Sequence, residues 1–311
     1  GAARPAAGSR VKMQASDAEE LEVQRWRADV AAHLHAHGHP VPRSLPALPG
    51  SAGDGGPVAR AEHGGRIVAV TVTEWVDAAP YGELGGLFGD TGADVGGTVC
   101  GAVGGAVGFA VGFGRALGAL AARMQADLVT APRPPRPIAH DWVAHRTAAT
   151  IAEHLPRVSD EGTREIARAA LSLHEQRVRP LEAELPRALV HQDLHDSNVL
   201  ARPDGAIAAV IDFDDMLVGW RVAEPAIAAA YLSRHTSTPT AAVAAVAEGW
   251  ESALPFTDAE RRAFPAVVLA RLALNATVWN VRMAEDRGGY ARMRQNGSAE
   301  TFRALSRELG T

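Results

Sequence analysis

The residues HQDLHDSNVLARPDGAIAAVIDFDD, at positions 191–215, combine a hairpin pattern with a high density of polar side chains. Two apolar runs, Val199–Ala201 and Ile207–Ile211, flank the turn-forming residues Pro203–Gly205. Asn198 and Asp212 lie equally far along the chain from the glycine of this turn. We therefore predict an antiparallel hairpin that brings Asn198 and Asp212 together at its open end, roughly 5 Å apart between Cα atoms.

The side chains at this open end suit metal binding and proton transfer. The carboxylate of Asp212 and the amide carbonyl of Asn198 are hard oxygen ligands, which suit Mg²⁺ that also keeps water and phosphate ligands. Asp193 precedes Asn198 by five residues and is free to act as a base. Another interpretation is a metal-dependent hydrolase that uses His191, Asp193 and His195 as ligands, although it needs a further ligand and leaves Asn198 without a role.

The spacing H-x-D-x-x-x-x-N, followed by strand, turn, strand and Ile-Asp-Phe, resembles the catalytic loop and metal aspartate of kinase-fold phosphotransferases. Residues 192–195, QDLH, are similar to the aminoglycoside phosphotransferase and choline kinase superfamily rather than to protein kinases. Three later stretches resemble its hydroxylysine-kinase-like branch: IDFDDMLVGWRVAEPAIAAAY, RLALNATVWNVRM and GGYARMRQNGSAETFRAL. The likeness covers nearly everything from about Pro180 onward.

This resemblance implies an α+β, two-lobed protein-kinase-like fold. Residues 1–77 would form a small β-containing N-lobe that binds nucleotide, and residues 78–311 a large helical C-lobe that carries the catalytic hairpin. The implied activity is transfer of the γ-phosphoryl of ATP or GTP to a hydroxyl of a small amino alcohol, an aminoglycoside-like compound or a peptide Ser/Thr. By the same likeness, Asp193 is the catalytic base, His191 braces the loop, and Asn198 and Asp212 hold Mg²⁺.

The nucleotide side of the site is expected in the first 77 residues. A helix is predicted over Glu19–His37, with Asp17 as its cap and Leu21, Trp26, Val30 and Leu34 on its buried face. Lys12 is the only lysine of the chain and precedes this helix, as the phosphate-anchoring lysine does in the family. Its predicted partner is Glu22, with Glu19 and Glu20 as alternatives. The hinge whose backbone reads adenine is predicted at Glu74, Trp75 and Val76.

The family pattern also places two strands and a glycine-rich turn before the anchoring lysine, whereas only eleven residues precede Lys12. We therefore expect a shortened roof over the phosphates, weak affinity for Mg-ATP, and completion of the site by a partner protein, the substrate or further N-terminal residues. A degenerate kinase-like protein that only binds a partner is the alternative to an enzyme. The intact set Asp193, Asn198 and Asp212 favours the enzyme.

Five further residues are predicted to face the acceptor. Arg271, Asn275 and Arg282 recur on neighbouring turns of one helix and could bind a carboxylate or an amine, or else form an ion-pair face between the lobes. His195 could contact phosphate or acceptor, or be solvated. Asp214 could support a second ion.

Composition limits the other function classes. The 311 residues carry a formal charge of -5 without a basic block, which argues against nucleic-acid binding. Cys100 is the only cysteine, so an internal disulfide framework is excluded and a cytoplasmic location is expected. The uncharged stretch Val95–Gly114 is glycine-rich, which disfavours membrane insertion. We predict an interior helix over Phe109–Met124, with the preceding glycines forming a mobile connection.

Overall fold

A computed structural model describes residues 8–46, 56–84, 103–285 and 297–308. The N-terminal part of the described chain forms one antiparallel sheet of four strands: β1 (Ser9–Ala15), β2 (Ser44–Leu45), β3 (Val58–His63) and β4 (Arg66–Glu74). Strand β4 is central, because β1 and β3 both pair with its residues 68–71 and must therefore lie on opposite sides. Strand β2 pairs with the end of β4 at Val72 and Thr73.

Helix α1 (Ala18–Ala36) packs beside this sheet and confirms the sequence prediction. The Asp17 side chain accepts a hydrogen bond from the Glu20 backbone amide at 2.8 Å, which satisfies one of the free N–H groups of the first turn. All four predicted apolar positions are buried: Leu21, Trp26, Val30 and Leu34. The buried face lies between the sheet and the helical part of the chain.

The predicted hairpin is present and antiparallel, with strands β7 (Val199–Ala201) and β8 (Ile207–Val210). Gly205 adopts the left-handed conformation that the turn requires, with φ of 85°. Strand β5 (Ala79–Pro80) adds a third strand beside β7. Strands β6 (Arg187–Val190) and β9 (Leu217–Trp220) form a separate antiparallel pair. In sequence, β6 precedes the hairpin and β9 follows it.

The predicted pairing of Asn198 with Asp212 is wrong by one residue. A register shift between Leu200 and Ala201 sets Val199 opposite Val210, so Asn198 faces Ile211 and accepts its backbone N–H at 2.9 Å. A bulge of this kind places an extra residue on one strand, which a count from the turn cannot detect. Asp212 therefore lies beyond the last paired residue.

The remaining described residues are mostly helical. The helices are α2 (Val103–Asp127), α3 (Thr147–His154), α4 (Glu161–Leu173), α5 (Ala223–Leu232), α6 (Pro239–Glu251), α7 (Asp258–Ala284) and α8 (Ser298–Glu308). Helix α7 begins at a capping box in which Thr257 and Glu260 satisfy each other's backbone amides. It packs against α3, α4, α5 and α8, and most of its residues are buried. Its side chains can therefore reach a site inside the helical part.

The glycine-rich stretch departs from the prediction in its described part. Helix α2 already begins at Val103, so the glycines from position 104 onward are helical rather than a mobile connection. A Cβ added to Gly118 would lie 2.1 Å from the carbonyl oxygen of Val246, and one added to Gly249 would lie 2.1 Å from that of Arg115. Glycine is thus required for close contact between α2 and α6. Positions 95–102 of the stretch lie outside the described residues.

Among the described helices, α7 alone is long and apolar enough to cross a membrane by length and composition. Its most apolar window is 94% buried inside the protein, as expected for a core helix.

Candidate active site

The loop after β6 is held in an uncommon backbone conformation. Gln192 has φ of 70°, a left-handed conformation that non-glycine residues adopt rarely. Its backbone N–H donates to Glu224 Oε1 at 2.7 Å, and its side-chain Nε2 donates to the Trp142 carbonyl at 3.2 Å. Glu224 lies in the first turn of α5 and is buried. These bonds hold the backbone of Gln192 in place and so fix the orientation of the next residue, Asp193.

Asp193 lies at the centre of three donors. Asn198 Nδ2 donates to Asp193 Oδ2 at 2.8 Å, His195 Nε2 is 3.1 Å from the same oxygen, and the Arg271 guanidinium is 3.0 Å from Oδ1. Burial alone would raise the pKa of Asp193, but the charges of His195 and Arg271 and the hydrogen bond from His195 outweigh it and hold that pKa well below its usual range. Asp193 is thus an ionised, tightly oriented carboxylate.

His191 braces the loop, as predicted. Its Nδ1 accepts the backbone N–H of Asp193 at 3.3 Å, and its Nε2 donates to the Ile211 carbonyl at 3.2 Å. Burial lowers the pKa of this histidine, which agrees with the neutral form that these bonds require. The ring also packs on Phe213, with 4.6 Å between centroids. His191 therefore joins the loop that carries Asp193 to the strand end that carries Asp212.

His195 lies behind Asp193 rather than in a position open to a ligand. It is 3% exposed and packs against the Tyr231 ring at 5.1 Å. Burial lowers its pKa, but Asp193 and Asp196 outweigh burial and raise the pKa of His195 to about 10. The Ser197 amide, which donates to His195 Nδ1 at 3.0 Å, acts in the opposite direction because it requires an unprotonated nitrogen. The predicted contact of His195 with phosphate or acceptor has no support in this geometry.

The hydrolase interpretation fails on the same geometry. Both ring nitrogens of His191 are committed to the backbone, and His195 is buried between two carboxylates. In the part of the chain that the structure describes, no three histidine, cysteine, aspartate or glutamate side chains converge as metal ligands.

Asp196 is a residue of this site that the sequence reasoning missed. Its carboxylate is 2.8 Å from His235 Nε2, 3.4 Å from His195 Nδ1 and 3.6 Å from the Arg234 guanidinium. Burial would raise the pKa of Asp196, but these partners lower it well below its usual range. Because His235 and Arg234 follow α5 in sequence, this cluster ties the end of that helix to the catalytic loop. No sequence spacing indicates such a contact.

On the other side of the site, Lys12 lies between two carboxylates. Its Nζ is 2.7 Å from Asp212 Oδ1 and also contacts Asp214 Oδ2, which accepts a further hydrogen bond from Gln14. Burial would lower the pKa of Lys12, but both aspartates raise it above its ordinary value. Asp212 itself has φ of 68°, so the chain turns sharply there and directs both carboxylates toward β1.

The prediction that Lys12 pairs with Glu22 is wrong. Glu22 is exposed, whereas its neighbours Leu21 and Val23 are buried. The face of α1 that lines the cleft carries Gln24, Arg27, Ala28 and Ala31. The alternative Glu20 binds Gln24 and Arg27 instead, and Glu19 is exposed.

Lys12, Asp212 and Asp214 line a cleft between the small sheet, α1 and the end of the hairpin. Arg10 and Thr73 line it as well. Of the predicted hinge, Glu74 pairs with Arg43, while the Trp75 side chain is 62% exposed and its backbone N–H donates to Gly8. Val76 lies between Trp75 and β5, where the chain passes from the small sheet to the helical part.

The predicted acceptor residues on α7 separate into two groups. Arg271 donates to the Trp142 carbonyl and lies over the Trp142 and Tyr231 rings at 5.2 and 5.4 Å. Arg282 lies over the Trp142 and Trp279 rings at 5.6 and 5.0 Å. Asn275 is buried; its Nδ2 donates to the Tyr231 hydroxyl, and its Oδ1 accepts from the Ser298 hydroxyl. Asn275 therefore joins α5, α7 and α8 instead of facing a ligand.

Trp142 is a second residue that the sequence reasoning missed. Its carbonyl accepts hydrogen bonds from both Arg271 and Gln192, and its ring lies 6.1 Å from that of Trp279. Trp142 belongs to the segment IAHDWVAH. The feature that could have indicated it is a tryptophan that lies between two histidines after a proline-rich run. The neighbouring His140 donates to the carbonyl of Asp215 at 3.1 Å.

The comparisons with known proteins agree with this geometry. Residues 5–264 match the model of the phosphotransferase enzyme family. Hydroxylysine kinase from Danio rerio is 31% identical over 110 residues, which are 34% of this chain and 31% of that protein. Hydroxylysine kinase from Bos taurus is 28% identical over 134 residues, which are 40% of this chain and 36% of that protein. The aligned segments thus span about a third of these relatives.

Solved structures establish the fold. A microcompartment-associated aminopropanol kinase superposes with a TM-score of 0.64 at 16% identity, over 97% of this chain and 86% of that one. A glucosamine kinase superposes with a TM-score of 0.57 at 17% identity, over 100% of this chain and 78% of that one. The predicted kinase-like fold, with a small strand region and a larger helical part, is confirmed. The chain belongs to the phosphotransferase enzyme family.

Proposed function

We propose that this member of the phosphotransferase enzyme family transfers the γ-phosphoryl of ATP or GTP to a hydroxyl of a small acceptor that carries an amine and a carboxylate. One observation supports the proposal above the others: an ionised, oriented carboxylate, Asp193, is joined through His191 to a cleft that holds a lysine between two aspartates. A phosphotransferase needs these two parts, a base for the hydroxyl and cations for the phosphates.

On the chemical side, Asp193 is the catalytic base. Its carboxylate would accept a hydrogen bond from the acceptor hydroxyl and take the proton as the P–O bond forms. Because Arg271 and Asn198 hold both of its oxygens, its position is defined before the acceptor arrives. Its low pKa makes it a weak base, so orientation of the hydroxyl is the larger part of its contribution.

On the nucleotide side, the residues fit a divalent cation. The Asp212 carboxylate already contacts one cation, the Lys12 ammonium, at 2.7 Å and is 31% exposed toward the cleft. Asn198 uses its Nδ2 on Asp193, which leaves its carbonyl oxygen as the atom for a metal. Asn198 and Asp212 would hold Mg²⁺, which neutralises charge on the phosphates. Lys12 would bind the phosphates, and the backbone of Glu74, Trp75 and Val76 would contact the base.

The acceptor would bind on the side of Asp193 that faces α7. The guanidinium of Arg282 lies over two indole rings and has no ion-pair partner among the described residues, so it is available to a carboxylate. Asp215 lies near Asp193, and burial, followed by the charge of Asp193, raises the pKa of Asp215. An ammonium group of the acceptor beside Asp215 would offset both effects by stabilising the ionised carboxylate. The hydroxylysine kinases, which share sequence with this chain, are named for a compound that carries both groups.

A transfer assay tests the proposal. The purified 311-residue chain is incubated with Mg²⁺ and γ-labelled ATP or GTP, and with 5-hydroxylysine, 1-amino-2-propanol, kanamycin or a Ser/Thr peptide as acceptor. We expect label on 5-hydroxylysine above the other acceptors. Nucleotide binding without transfer to any acceptor would instead favour the degenerate, binding-only alternative.

Arg282→Gln tests the acceptor side separately. Wild-type protein should prefer 5-hydroxylysine over its methyl ester, which lacks the carboxylate charge, and the variant should lose roughly tenfold of that preference in KM. Arg262→Gln is the matched control, since Arg262 is exposed on the same helix. An unchanged preference in Arg282→Gln would remove Arg282 from the acceptor site.

A further inference from the structure

Lys12 lies in the cleft, and helix α1 faces it. In kinase-like sites a carboxylate of this helix pairs with the phosphate-binding lysine, but no carboxylate of α1 contacts Lys12. The acidic residues of α1 are Glu19, Glu20, Glu22 and Asp29, and three of them are exposed. The fourth, Glu20, binds Gln24, Arg27 and Arg136. Within the described residues, the carboxylates on Lys12 come from the hairpin end alone. Another residue must therefore hold this lysine in place.

We infer that Asp214 is the positioning residue for Lys12 and takes the part that a helix α1 carboxylate would otherwise play. The inference rests on the proposed function, since it concerns how the nucleotide cleft is built. Asp214 Oδ2 accepts from both Lys12 and Gln14. These two residues alternate on β1 and so project from the same face of the strand, while Val11 and Met13 are exposed on the other face.

Asp214 suits this role better than Asp212. Asp212 is the residue proposed for Mg²⁺, and a carboxylate that binds a divalent cation interacts less strongly with an ammonium beside it. Asp214 has a second donor, Gln14, that keeps its carboxylate directed at β1 whether or not Asp212 is engaged. Phe213, which packs on His191, fixes the single helical turn that carries Asp214. Lys12 thus keeps one partner when the other binds metal.

The contact also joins the two parts of the molecule. Lys12 and Gln14 belong to the small sheet, whereas Asp214 lies just after the catalytic hairpin, 202 residues after Lys12 and 200 residues after Gln14. Loss of the Asp214 carboxylate should therefore free the lysine and also weaken the link between the sheet and the hairpin end. If Asp214 were only a metal ligand, its loss from metal-free protein would neither free the lysine nor weaken this link.

Because Lys12 is the only lysine, its state can be read without interference. Protein labelled with [ε-¹³C]lysine gives one side-chain signal by NMR. In wild-type protein with saturating Mg²⁺ we expect a restricted side chain, in Asp214→Asn a mobile one, and in Asp214→Glu a restricted one again. Glu22→Gln is the control and should leave the signal unchanged. A signal that stays restricted in Asp214→Asn would overturn the inference.

Nucleotide binding then separates positioning from metal ligation. Displacement of a fluorescent ATP analogue in EDTA should be weakened roughly tenfold by Asp214→Asn and by Lys12→Met. The double variant should be no weaker than Lys12→Met alone, because Asp214 acts through the lysine. Additive losses in the double variant, or tighter binding in Asp214→Asn, would contradict the inference.

Manganese binding completes the test. Asp214→Asn should leave the Mn²⁺ affinity of the nucleotide complex unchanged by electron paramagnetic resonance, whereas Asp212→Asn should reduce it. Equal losses in both variants would make Asp214 a metal ligand and overturn its role as a positioning residue. Failure of the wild-type chain to bind either ATP or GTP would contradict the proposed function itself, whatever the lysine signal shows.

Discussion

The two ends of the candidate active site are built in different ways. Around Asp193 the partners are buried, with side-chain exposures of 18% for Asp193, 5% for Arg271 and 3% for His195. Around Lys12 the three charged side chains are each about 30% exposed and come from opposite sides of a cleft. Water screens the second group far more than the first. The first end is organised before any ligand arrives, and the second can rearrange when ligands bind.

This contrast predicts that changes at the Asp193 end affect the chemical step and those at the Lys12 end affect nucleotide and metal binding. The largest effect is expected for Asp193→Asn. This change keeps the shape of the side chain but removes the base, so turnover should fall roughly 10²–10⁴-fold. Steady-state rates, with circular dichroism to verify the fold, measure it. The exposed Asp258→Asn on α7 is the control and should leave turnover unchanged.

The next largest effect is expected at the open end. Asp212→Ala removes the proposed charged ligand of Mg²⁺, so the increase in ATP affinity caused by Mg²⁺ should disappear. Calorimetric titrations with and without Mg²⁺ measure the difference. If Mg²⁺ still tightened ATP binding as it does in the wild-type protein, Asp212 would not be the metal ligand.

A smaller effect concerns stability at the buried end. Burial raises the pKa of Glu224 to about 7, while the hydrogen bonds from Gln192 and His191 oppose the shift. A carboxyl whose folded pKa lies above its unfolded value favours folding when protonated, so its contribution is complete below about pH 4.5 and is lost as the pH rises to about 7. The unfolding free energy should therefore fall over that range.

Glu224→Gln tests this dependence, because the amide oxygen can still accept the Gln192 N–H but cannot ionise. Relative to the wild-type protein, the variant should gain about 1–3 kcal/mol of unfolding free energy between pH 4.5 and pH 8. Urea unfolding at a series of pH values measures the difference. A constant offset across that range would show that Glu224 does not titrate between these limits.

The same contrast explains what the sequence could predict. Local patterns succeeded: the turn at Gly205, the cap at Asp17 and the bracing role of His191 all depend on residues close in sequence or on a shared strand end. The pairing of Asn198 with Asp212 failed because the bulge after Leu200 leaves no composition signal. The prediction that the glycines before Phe109 form a mobile connection failed because α2 already begins at Val103, and the partner of its later glycine Gly118, helix α6, lies more than a hundred residues away.

At the site, the missing information was also long-range. The partner of Lys12 could not be predicted, because the choice between α1 and Asp214 depends on which face of α1 turns toward the cleft. Trp142 was missed because Arg271 and Gln192 bind its backbone carbonyl, which any residue could supply. Asp196 was missed because its partners follow α5, nearly forty residues later.

The division of roles between Asp193 and Lys12 is tested most directly by comparing Asp193→Asn with Lys12→Met in phosphoryl transfer to 5-hydroxylysine, measuring kcat and the KM for ATP for each. We expect Asp193→Asn to lower kcat and leave the KM for ATP nearly unchanged, whereas Lys12→Met should raise the KM for ATP by roughly tenfold or more. Wild-type kcat in Asp193→Asn, or a change in only the KM for ATP in both variants, would refute this division of roles.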